Sequence, residues 1–169
     1  MTAVNTQPEI VTSHPEWFGS RRPQSYGALE RYEIKAKDGA TLTLHHVPGD
    51  GPLGPLVMTP GTAMSALTFC IDTVDQNLVE FFHEKGFDVW LLDWRTSPEL
   101  KVHNTPYTLD DVAKYDWPAG VDEVRARTGA DQVGIFAHCL SSTAMHLSFA
   151  RGYLPTEKVS SAVASQVAL

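Results

Sequence analysis

Apolar and polar positions change their period at a few points along the chain, and each change predicts an element. Residues 1–27 hold Pro8, Pro15, Pro23, Gly19 and Gly27 and show neither a strand nor a helix period, which predicts an irregular leader on the surface of a domain spanning 28–169. Leu29–Lys35 alternates, Lys37-Asp38-Gly39 turns, and Thr41–Val47 alternates again, as a β-hairpin does. Pro55–Met58 is a short apolar strand, followed by a loop of small residues, Thr59–Ser65. Thr73 with Gln76 reads as a capping box opening a helix whose apolar stripe is Val74, Leu78, Val79, Phe81 and Phe82, ended by Gly86. Phe87–Asp93 is a continuous apolar run, the pattern of a parallel strand buried on both faces.

After a long connection, Thr108 with Asp111 predicts a helical turn, and Asp116 with Pro118 predicts the cap and first-turn proline of the main helix. Trp117, Val121 and Val124 form its inner stripe and Gly129 its end. Gln132–His138 predicts a strand. Leu140–Arg151 predicts a helix with Leu140, Ala144, Leu147 and Phe149 inward, and Lys158–Val167 a last strand whose apolar residues are Val159, Ala162, Ala164 and Val167. Beyond the hairpin, strands and helices alternate. Alternation predicts an α/β fold with a mainly parallel sheet and helices on both faces. A parallel sheet that stops just after a strand leaves an open edge, so the domain is expected to be C-terminally incomplete.

Composition narrows the function classes. The chain has 169 residues, 43% hydrophobic, enough for one globular core. Its net charge of −7, with the acidic residues scattered, argues against nucleic acid and against an anionic membrane surface as partners. No apolar run reaches the roughly 18 residues of a membrane span, and residues 1–18 lack a secretory pattern; the expected location is the cytoplasm. Two cysteines, Cys70 and Cys139, are too few for a disulfide scaffold. Nothing in the chain calls for a metal or an organic cofactor.

The candidate chemistry lies at residues 132–145. An apolar run stops at Ala137, then come His138, Cys139, Leu140 and Ser141, and a helical pattern opens. This is the order of a strand–nucleophile–helix elbow. The nucleophile stands on a sharp turn, and residues two places away on either side must be small, or strand and helix collide. Ala137 and Ser141 meet that demand, so Cys139 is the expected nucleophile. The start of a helix favours a thiolate through its free N–H groups and dipole. One oxyanion hydrogen bond is expected from the backbone N–H of Leu140, directly after the nucleophile, and a second from the loop after the first parallel strand, at Thr62 or Ala63. His138 is expected to point to the other side of the turn. Asp93 is expected to pair with Arg95 or with a loop N–H, and Met64, Leu67 and Phe69 to line an apolar acyl site.

These residues carry a resemblance. The order of hairpin, strand, Pro60-Gly61 loop, helix, strand, helix, strand and Cys139 elbow resembles the N-terminal half of an α/β-hydrolase. Tyr115-Asp116-Trp117-Pro118-Ala119, with Ala137-His138-Cys139-Leu140-Ser141-Ser142-Thr143, is similar to acid lipases, which carry a Tyr-Asp-x-Pro-Ala helix before a Gly-His-Ser-x-Gly-Thr-Thr elbow. Asn77–Glu80 and Gly86–Arg95 are similar to polyhydroxyalkanoate synthases, whose elbow nucleophile is cysteine. The chain also resembles the hydrolase-like module that accompanies cholesterol-oxidase-type (GMC) flavin oxidoreductases. That resemblance implies a fused or neighbouring oxidoreductase, with any flavin belonging to it. Ala137 and Ser141 stand where these families carry glycine, and Pro60-Gly61 where lipases carry His-Gly.

The family order places an acid and then a histidine after the nucleophile. Of the histidines, His146 alone follows Cys139, and it lies in mid-helix. No general base is therefore assigned within the chain. The resulting expectation is an ester or thioester hydrolase of the esterase or lipase kind using Cys139. The alternatives are an acyltransferase of the polyester-synthase kind and a non-catalytic module. The 169 residues alone are expected to be inactive.

Overall fold

The computed structural model describes residues 8–11, 23–49 and 51–167. The rest of the predicted leader lies outside them. Among the described residues a sheet forms from β1 (Glu9–Val11), β2 (Leu29–Lys35), β3 (Thr41–His46), β4 (Pro55–Thr59), β5 (Asp88–Asp93), β6 (Val133–His138) and β7 (Val159–Ser165), in the order β1-β2-β3-β5-β4-β6-β7. β1, β2, β3 and β5 pair antiparallel, whereas β5, β4, β6 and β7 pair parallel. β1 comes from the segment read as irregular. Its pairing of Ile10 with Glu30 is a long-range contact that no local period announces.

Helices α1 (Leu78–Glu84), α2 (Leu109–Asp111), α3 (Trp117–Thr128) and α4 (Leu140–Ala150) cover the sheet on both faces. Val121 and Val124 of α3 and Ala144 and Met145 of α4 pack with Leu42, Leu44, Val57, Leu92 and Ile135. On the opposite face Val79 of α1 packs with Leu56, Met58, Val89 and Leu91. This α/β architecture is the one that alternation predicts.

Three helix expectations are corrected. The first helix opens at Asn77, not Thr73: the Asn77 side chain accepts from Glu80 N–H while Glu80 reaches back to Asn77 N–H. Asn77 is also buried and donates to Gln24 Oε1 and Ile71 O, which fixes the start there; Val74 and Phe81 are 40% exposed, off the inner stripe. The second concerns Asp116. It has helical backbone angles and caps nothing, because α2 runs through a π turn, Val112–Asp116, into α3. Pro118 has no N–H to give to the carbonyl four residues back, and the turn before it widens, with Trp117 N–H reaching Val112 O. The third concerns the face of α4. Ala144 is buried as expected, and Leu140 and Phe149 pack half-buried against the core, but Leu147 does not join it, while Ser141, Ser142, Met145 and Ser148 are buried. The small serines and Ala144 let α4 lie close to the sheet.

Candidate active site

Parallel sheets gather their chemistry at the C-terminal ends of the strands. Three non-glycine residues have a left-handed backbone among the described residues, and all three lie there: Ala63 (φ 55°) after β4, Cys139 (φ 58°) after β6 and Gln166 (φ 53°) after β7. Such conformations cost about 1–3 kcal/mol each and persist where the surroundings hold them.

Cys139 is the strained residue between β6 and α4, with ψ −130°. Its thiol is half-buried, at the rim of the sheet and outside the closed core. Hydrogen bonds hold the bend on every side. Cys139 N–H donates to Ser165 O at 2.8 Å, which fastens the elbow to β7. Ser141 Oγ lies 2.8 Å from Thr59 Oγ1 and 2.8 Å from His138 O, so one hydroxyl ties the end of β4 to the strand side of the turn. Ser142 Oγ donates to Cys139 O at 2.5 Å. Ala137 is fully buried. Both serines after the elbow are thus engaged with backbone. Leu140 opens α4, so its N–H belongs to the first turn, whose donors have no partner within the helix.

The loop after β4 crosses directly over the thiol. A Cβ built on Gly61 would lie 3.1 Å from Cys139 Cβ and 3.6 Å from Sγ. Glycine fits there because any side chain would press on Cys139. Thr62, Ala63 and Met64 are exposed beyond it, while Leu67 and Phe69 turn back against the α1-side core. Of the predicted acyl-site wall, Met64 alone therefore borders the Gly61 loop on the solvent side, its Sδ 3.5 Å from the position of a Gly61 Cβ.

Asp93 pairs with the loop, not with Arg95. It accepts from Ala66 N–H at 2.7 Å and Ser65 Oγ at 3.3 Å, and it lies 3.1 Å from His45 Nε2. Arg95 instead turns to Asp116 and Asp38, a nearly buried ion cluster joining the π turn to the β2–β3 turn. Two buried indoles complete the underside. Trp94 Nε1 donates to Pro60 O and Trp117 Nε1 to Ser141 O, both at 3.1 Å. No period in the sequence marks Trp94. The available signal is chemical: a tryptophan closing a buried strand must find an acceptor for its N–H.

None of the histidine contacts among the described residues involves Cys139. His138 Nδ1 lies 3.3 Å from Ser165 Oγ, on the β7 side. His146 Nδ1 lies 2.8 Å from Ser142 O of its own helix. His46 lies at the other end of the sheet between Glu30 and Asp88.

No family model matches the sequence. Among curated proteins the chain is similar to triacylglycerol lipase 2 of Arabidopsis thaliana, 26% identical over a 157-residue alignment covering 82% of this chain and 37% of that protein. It is also similar to a poly(3-hydroxyalkanoate) polymerase subunit of Haloferax mediterranei, 36% identical over 69 residues, 41% of this chain and 13% of that one. Among solved structures it is similar to an esterase of Pyrococcus furiosus, with a TM-score of 0.64 at 19% identity over 90% of this chain and 57% of that chain. The mainly parallel sheet and its flanking helices give the chain the fold of an α/β-hydrolase, and the curated lipases it resembles agree with that fold. The chain spans little more than a third of the length of those lipases.

Proposed function

We propose that the intact protein is an acyl-transfer enzyme of the esterase or lipase kind, with Cys139 as nucleophile. The supporting observation is the strained backbone of Cys139 at φ 58°, held half-exposed under a loop whose Gly61 touches it. The thiolate Sγ attacks the acyl carbonyl carbon, and the carbonyl electrons move to oxygen. Leu140 N–H and Thr62 N–H stabilise that oxyanion. As the carbonyl re-forms, the bond to the alcohol or thiol leaving group breaks and a thioester on Cys139 remains. Water then releases the acid and frees the sulfur. Acid and base groups from outside the described residues complete the cycle. Ala137, His138 and Ser141 shape the elbow without touching substrate, and the work is placed in the cytoplasm.

The test is labelling of the full-length protein with an acyl-mimetic electrophile such as a fluorophosphonate or a β-lactone. Cys139 is expected to react faster than Cys70, and equal rates would overturn the reading. A second reading, transfer of the acyl group to an alcohol, is favoured by cysteine in place of serine together with the similarity to a polyhydroxyalkanoate polymerase subunit. Product analysis with and without an added alcohol separates the two: new ester supports transfer, free acid alone supports hydrolysis. The resemblance to the module accompanying flavin oxidoreductases adds a partner to either reading, to be tested by co-purification with such an enzyme.

A further inference from the structure

The outer part of the loop after β4 is exposed at Thr62, Ala63 and Met64, so what fixes its path lies beneath it. The Asp93 carboxylate holds the far end at Ala66. The near end is held by Trp94, whose Nε1–H donates to Pro60 O at 3.1 Å. That bond falls where orientation matters. The described residues contain no cis peptide bond, so across Pro60–Gly61 the C=O and the N–H point in opposite directions. The carbonyl is aimed down at an indole that is 1% exposed. The rest of that peptide plane, through Gly61 N–H and Gly61 Cα, is thereby set, and with it the point from which the chain continues toward Thr62. Gly61 is the residue packed against Cys139.

We propose that Trp94 is a positioning residue for acyl transfer: its indole N–H holds the Pro60–Gly61 peptide so that the loop presents Thr62 N–H to the oxygen of an acyl group bonded to Cys139. The inference rests on the reading of Cys139 as the nucleophile. Phenylalanine at position 94 keeps a ring in the core and removes the donor. Pro60 O is then left without its partner and finds one by turning toward solvent, on the side of Cys139. A carbonyl dipole there opposes the negative charge that the transition state develops.

Two rates at Cys139 of the full-length protein separate this role from a merely structural one. Pre-steady-state release of p-nitrophenolate from p-nitrophenyl butyrate passes through an oxyanion. Alkylation by iodoacetamide is a displacement at a saturated carbon and forms none. Trp94→Phe is expected to slow the first by about tenfold or more and to leave the second unchanged. Where that variant does not fold, 3-benzothienylalanine at position 94, which keeps the fused rings and has sulfur in place of the N–H, carries the same expectation. Val124→Ala, in the same core cluster, is expected to lower thermal stability without moving the ratio of the two rates. An unchanged ratio in the position-94 variants, or an equal change in Val124→Ala, overturns the inference while a wild-type burst still reports a working nucleophile. The absence of any wild-type burst overturns the acyl-transfer reading, and this inference with it.

Discussion

At the scale of single residues, Cys139, the proposed nucleophile, holds a conformation that only glycine adopts freely. The strain of about 1–3 kcal/mol is a cost to folding, and glycine would relieve it at an entropic cost of up to about 1 kcal/mol. Cys139→Gly is therefore expected to be more stable than Cys139→Ala by about 1 kcal/mol in urea unfolding, with acyl transfer lost in both. Equal stabilities would mean that the bend stores no strain. Gly61 is the complementary case. A methyl group 3.1 Å from Cys139 Cβ forces the loop and Cys139 apart by a few tenths of an ångström. Gly61→Ala is expected to slow the p-nitrophenolate burst by about tenfold or more, as small misplacements of reacting groups do, with little change in melting temperature. The elbow was legible in the sequence because its logic is local: small residue, one spacer, cysteine, one spacer, small residue. The partners of Asp93 and Arg95 were not, because they are chosen by strands and turns distant in sequence.

At the scale of elements, the ends of the strands do different work. At the N-terminal end of β5 the His46 ring stacks on Trp90 at 4.0 Å, with Nδ1 2.9 Å from Glu30 and Nε2 2.6 Å from Asp88. Burial disfavours the imidazolium, but the bonds to Asp88 and Glu30 outweigh it and raise the His46 pKa above its ordinary value. The bond to His46 is the main cause of a lowered Glu30 pKa. A raised histidine stabilises fully below its unfolded pKa of about 6.5 and loses that contribution as pH rises through its folded value. A lowered carboxylate stabilises above its unfolded value and loses the contribution as pH falls through the folded one. The tie between β2, β3 and β5 is thus strongest in mildly acidic solution. His46→Gln is expected to flatten the fall in unfolding free energy between pH 6 and pH 9, and an unflattened curve would remove the cluster from the account. Element types were readable from period alone, whereas boundaries were decided by competition. Asn77 outbid Thr73 as a cap through its burial and its extra acceptors, and Pro118 marked a widened turn inside a longer helical run.

At the scale of the whole molecule, the two cysteines report on different things. Cys70 is 1% exposed, and burial pushes its thiol up to about 12. Cys139 lies at the rim. Titration with a chromogenic disulfide is expected to find one reactive thiol in the native protein and two in urea, the second appearing with the loss of near-ultraviolet circular dichroism. Two native thiols would contradict the packing of the α1-side core. The opposite edge is less closed: Ser160–Val163 of β7 are exposed, and Val163 is 53% exposed. The overall class of fold was visible in the alternation of periods. The open edge at β7 was expected from the same alternation, whereas the exposure of Ala162 was not, since it read as one of the apolar residues of that strand.

The non-glycine left-handed bends among the described residues all lie on one rim. Gly86 and Gly129 take that conformation in the turns leading into β5 and β6, where glycine adopts it without strain, while Ala63, Cys139 and Gln166 bear it where strands leave the sheet. One rim is relaxed and replaceable, the other wound tight. A short epitope tag spliced beside Gly129 should give a protein whose Cys139 still labels, whereas the same tag inserted between Thr62 and Ser65 should silence the thiol toward esters. Circular permutants and reporter fusions of this protein belong on the rim of Gly86 and Gly129.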